Sequence, residues 1–129
     1  MIRTSQFNMF QVVFNNISAA EMAALSTELQ LELLSDFEVL PEDIEKADSD
    51  RFGVIERDGK SLFRYRARDY RIYFERGPDC IMVHRVLHRN TFRDFLFRAS
   101  LPMPAEDSEL AQQGRFWDLI EAGRSATKP

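Results

Sequence analysis

A single cysteine, Cys80, leaves no intramolecular disulfide to be made and excludes the multi-cysteine zinc frameworks. Histidine is scarce, with two residues, His84 and His88, and lysine occurs only once between positions 51 and 100. No apolar run approaches the roughly 20 residues of a membrane-spanning helix. The N-terminus lacks the basic and apolar stretches of a secretory signal, so a cytoplasmic protein without membrane contact is expected. Phosphate-loop, metal-ligand and nucleophile-elbow motifs are also missing, and no metal or cofactor is expected. There remain 129 residues, 44% of them hydrophobic and 12% aromatic. That length buries roughly two-thirds of the unfolded surface in one compact unit.

A net charge of −4 argues against a nucleic-acid partner only if the charge is evenly spread. Residues 1–50 carry −8, residues 51–100 carry +6 and the tail carries −2. The basic middle is almost entirely arginine, with Lys60 the one lysine. A guanidinium fork matches phosphate oxygens two at a time, whereas an ammonium acts as a point charge. An arginine-rich segment is therefore a candidate anion site, the alternative being a solvated surface that happens to prefer arginine.

Alternating apolar residues predict a first strand over 6–14, ended by Asn15-Asn16. Ser18 and Glu21 have capping-box spacing, Thr27 and Gln30 repeat it, and a helical hairpin or kinked helix is expected over 18–40, stopped by Pro41. Strands over 52–57 and 61–66 flank Asp58-Gly59, a strong hairpin signal, and strands over 69–75 and 80–87 flank a Gly77-Pro78-Asp79 turn. A closing helix over 91–100 and a tail helix over 107–122, with Leu110, Phe116, Trp117 and Ile120 as its stripe, complete the prediction. With three or four strands counted after the hairpin, the expected fold is α+β, a small mostly antiparallel sheet in the order β-α-α-β-β-β-α, with the helices to one side.

Strand parity then separates two faces. Phe63, Tyr65 and Ala67 alternate with Arg64, Arg66 and Arg68, while Tyr70, Ile72 and Phe74 alternate with Arg71 and Tyr73. The aromatic set is expected against the helices and the arginines on the opposite face. Like charges on adjacent strands repel unless an anion or carboxylates lie between them. Glu56, Asp69 and Glu75 are the local carboxylates that could form a purely structural salt network instead.

The segment Leu62-Phe63-Arg64-Tyr65-Arg66-Ala67-Arg68-Asp69-Tyr70-Arg71-Ile72-Tyr73, followed by Val83-His84-Arg85-Val86-Leu87-His88-Arg89, resembles the RelE/ParE superfamily of type II toxin–antitoxin modules. That family shows an R-x-R-x-G-D-Y-R-I-x-Y strand pair and a later strand ending in V-x-H-R. The likeness is tightest over 52–98 and implies a RelE/ParE-like domain at 1–100, with 101–129 an extension bearing one helix. Where the pattern has glycine before Asp69 this chain has Arg68, and where many members carry a tyrosine after H-R it has Phe92 and Phe95.

The resemblance implies a toxin that inhibits translation by cutting messenger RNA on the ribosome without a metal, held in check by a cognate antitoxin protein. Its alternatives are a ParE-like inhibitor of DNA gyrase and a non-catalytic binding module of the same fold. Under the RNA-cutting reading, Arg71 and Arg89 match the phosphate-binding arginines, His88 is the proton-transfer candidate, Arg66 stabilises developing charge and Glu56 is the candidate base. Arg64, Arg68, Arg85 and Arg93 are candidate RNA-binding residues. A homodimer through the C-terminal helix is a further expectation.

Overall fold

Five strands and four α-helices arise from these patterns, seen in a computed structural model describing residues 11–36, 52–78, 80–94 and 103–127. In chain order they are β1 (Gln11–Phe14), α1 (Asn16–Ala23), α2 (Thr27–Asp36), β2 (Phe52–Arg57), β3 (Lys60–Ala67), β4 (Tyr70–Gly77) and β5 (Cys80–His88). A 3-10 helix (Arg89–Asp94), α3 (Met103–Ala111) and α4 (Gly114–Arg124) follow. The sheet runs β1-β5-β4-β3-β2, with β1 parallel to β5 and every other pairing antiparallel. The fold is thus α+β around a mixed, mostly antiparallel sheet. No helix among the described residues is long and apolar enough to cross a membrane. Residues 6–10, 37–40 and 95–100 of the expected elements lie outside the described residues.

The turns carry the backbone that their residues predispose. Asp58 and Gly59 both have positive φ, 54° and 78°, as a two-residue hairpin with the sheet's twist requires. Arg68 also has positive φ, 55°, so the left-handed turn persists although a side chain stands there, at about 1–2 kcal/mol relative to glycine.

Both N-terminal helices start earlier than the spacing suggests. Asn15, not Ser18, caps α1: its side chain accepts the Ser18 amide and the Ser18 hydroxyl accepts the Asn15 amide. Asparagine is among the strongest caps, so the box moves three residues back and releases Glu21. Likewise Ser26 Oγ accepts the Leu29 amide at the head of α2.

Strand parity divides the sheet as expected, but helices cover both faces. Met22 of α1 and Leu33 of α2 pack with Phe52, Tyr65, Ile72, Phe74, Ile81, Val83 and Val86. On the other face Leu110 of α3 and Phe116, Trp117 and Ile120 of α4 pack with Ile55, Leu62, Tyr73 and Leu87. The placing of all helices to one side is therefore corrected. The tail forms two helices separated at Gln112-Gln113, and its stripe is buried against its own sheet, with Phe116 edge-on to Tyr73.

A β-bulge joins these layers. Phe74 pairs with Val83 but Tyr73 pairs with Arg85, leaving His84 as an extra residue. The Asn15 side-chain Nδ2 donates to the carbonyls of Val83, His84 and Gly123, and Ser18 Oγ donates to the Val83 carbonyl. His84 Nε2 lies 2.7 Å from Glu75 Oε1, to which Arg124 Nε also donates at 2.7 Å. Burial pushes the His84 imidazole below its ordinary 6.5, assisted by the charge of Arg124 and opposed by Glu75. Burial would raise Glu75, but hydrogen bonds from Arg124 and His84 carry it below its ordinary value.

At His84, and at lower pH at Glu75, the unfolded chain therefore holds more protons than the folded one, and the stability these two groups contribute falls as pH falls below 6.5. The histidine's share of the loss is complete once the folded imidazole is also protonated; Glu75 adds a further loss at more acid pH. Urea midpoints should decline between about pH 7.5 and pH 5.5, and His84→Gln should flatten that decline. A decline equally steep in His84→Gln would contradict the assignment.

Candidate functional site

The β3–β4 turn and the end of β5 meet at one end of the sheet. The Arg89 amide donates to the Asp69 carbonyl at 2.7 Å, and Tyr70 stands opposite His88. This brings Arg66, Arg68, His88 and Arg89 to a common rim. Arg66 is exposed; Arg68 is exposed and ion-paired with Glu32 of α2; Arg89 lies 3.5 Å from Asp69 with its side chain 37% exposed. His88 Nδ1 accepts the Asn90 amide at 3.0 Å, so the neutral ring carries its proton on Nε2 and offers a donor there. Its ring stands edge-on to Tyr70, 4.9 Å between centroids.

Behind the rim lie two arginines that the tail neutralises. Arg64 is 0% exposed, and its Nε and Nη2 donate to the two oxygens of Asp107 at 3.2 and 2.8 Å. Arg71 is 6% exposed, and its Nε and Nη2 grip Glu106 at 3.0 and 3.2 Å, while Nη1 donates to the Arg68 carbonyl. Burial pushes the Asp107 carboxyl above its ordinary value despite the Arg64 fork. The Tyr73 phenol between them is raised well above its own, by burial first and then by Glu106 and Asp107. Gly53 makes room: a Cβ there would lie 2.3 Å from Arg64 Nη2 and 2.6 Å from Asp107 Oδ2.

The remaining candidates are dispersed. Arg85 forks onto Glu21 of α1 at 2.7–3.1 Å and donates to the Leu119 carbonyl of α4, while Glu21 also accepts the Val86 amide. Glu21 thus caps the stretch of β5 that short β1 does not reach. Glu56 pairs with Ser61, five residues along β3 from Arg66, roughly 17 Å at 3.3 Å per residue. It is too distant to act as a base at the rim. His88 shares the parity of Val86, on the face packed by α1 and α2, whereas Arg66 and Arg71 share the opposite face; only at the sheet end can both sides reach one ligand. The side chain of Arg93 lies outside the described residues.

Glu21, Glu106 and Asp107 are the partners that sequence reasoning overlooked. A signal for the last two was present: an acidic pair three and four residues before Leu110 falls on the apolar side of its helix. Among the described residues no cluster of histidine, cysteine and carboxylates suits a metal ion. No protein-family model, curated protein or solved structure matches the chain.

Proposed function

We propose that this chain is a RelE-type toxin that cuts messenger RNA on the ribosome and is restrained by a cognate antitoxin. The observation that carries the reading is the backbone bond between Asp69 and Arg89, which joins the two motif-bearing segments and sets Arg66, Arg68, His88 and Arg89 around one rim. Metal-free cleavage forms a bond from the 2′-oxygen to phosphorus and breaks the bond to the 5′-oxygen. A base takes the 2′-proton, and a donor supplies one to the leaving oxygen. Arg66 and Arg89 suit the charge on the phosphorane, and the Nε2 proton of His88 suits the leaving oxygen.

A second reading, a non-catalytic binding module, is favoured by the burial of Arg64 and Arg71 against carboxylates. Induction in cells with and without the neighbouring reading frame separates the two. The RNA-cutting reading expects growth arrest with new message 5′ ends on ribosomes. Arg89→Ala should reduce cleavage about a hundredfold, as loss of one transition-state donor does, while the protein stays folded. Intact messages with double-strand DNA breaks would point to gyrase, and no arrest from folded protein would favour the binding module.

A further inference from the structure

We propose that helix α3 is a built-in acidic plug, seated on the arginine face through Glu106 and Asp107 and displaced when a polyanion such as RNA takes its place. The proposal rests on the RNA-binding reading above for the identity of that anion. Its basis is geometric. Each carboxylate occupies the two-pronged position that a phosphate takes on a guanidinium, on two neighbouring arginines of adjacent strands.

The plug is suited to leave. Leu110 is the one fully buried apolar side chain among those described on α3, which carries three acidic residues and no basic one. Its seating therefore leans on ion pairs whose desolvation offsets much of their attraction. By contrast α4 is anchored by Phe116, Trp117 and Ile120. The break at Gln112-Gln113 separates the two helices, so α3 can swing while α4 stays docked. The bond from Trp117 Nε1 to the Ala111 carbonyl, 2.9 Å, marks the tether at that end.

The test uses the full chain, with a single-stranded RNA oligonucleotide and sodium polyphosphate as separate probes. Either anion is expected to accelerate amide exchange in α3 while α4 stays protected. The double variant Glu106→Gln with Asp107→Asn should bind each probe about tenfold more tightly, within the range of ordinary coupling between sites. Bound anion without faster exchange in α3, or a folded double variant that binds no tighter, would overturn the plug. Should the double variant fail to fold, exchange in wild-type protein decides alone. Polyphosphate opening α3 without any RNA binding would uphold the plug and defeat the RNA reading. Message cleavage with α3 unmoved would do the reverse.

Discussion

Replacing Arg64 with methionine is expected to lower the unfolding free energy by about 3–5 kcal/mol, because it strands the Asp107 carboxylate in the interior. Arg64 has no exposed surface, and two of its nitrogens are committed to Asp107. The double replacement Arg64→Met with Asp107→Leu removes both charges and fills a similar volume. It should therefore recover most of the loss, to within about 1 kcal/mol of wild type. The four proteins form a double-mutant cycle read by urea unfolding, with the dependence on denaturant unchanged. A single-variant loss below about 1 kcal/mol, with α3 as protected from amide exchange as in wild type, would show that the pair is not buried as described.

Gly123→Ala should cost about 3 kcal/mol, near the upper end for added bulk in a packed site. A Cβ at this position would lie 2.2 Å from the His84 carbonyl oxygen and 2.8 Å from its carbon. The obstacle is backbone, so no rotamer change relieves it. Separating α4 from the bulge would also strain the Asn15 bond to the Gly123 carbonyl and the Arg124 bond to Glu75. Thermal unfolding and proteolysis of α4 report the change; an unaltered midpoint would mean that the helix docks differently.

Much of the sheet was legible because its strands obey period-two alternation between recognisable turns. Tyr65 and Ile72 lie on one face and Arg64, Arg71 and Tyr73 on the other, as parity dictates. What escaped was long-range or aperiodic. Alternation cannot register the extra residue at His84, because a bulge shifts every later side chain by one. The capping box moved because Asn15 could equally end a strand or begin a helix. The largest gap concerns charge: Arg64 and Arg71 looked like an open anion site, and their partners lie about 35 to 43 residues away in a tail whose composition merely looks acidic. Opposite charges distant in sequence carry no periodic signature that would pair them.

The parallel pairing of β1 with β5 has a consequence for how the chain emerges during synthesis. Asn15 must hold the carbonyl of Gly123, 108 positions later. At about 5–20 residues per second, roughly 5–20 seconds separate the two on a nascent chain. For the earlier part of that interval, until β5 has followed, Phe14, Met22 and Leu33 lack the strands they pack on. The helical hairpin is thus made well before the strands it covers, a window in which a holding chaperone has an apolar surface to grasp.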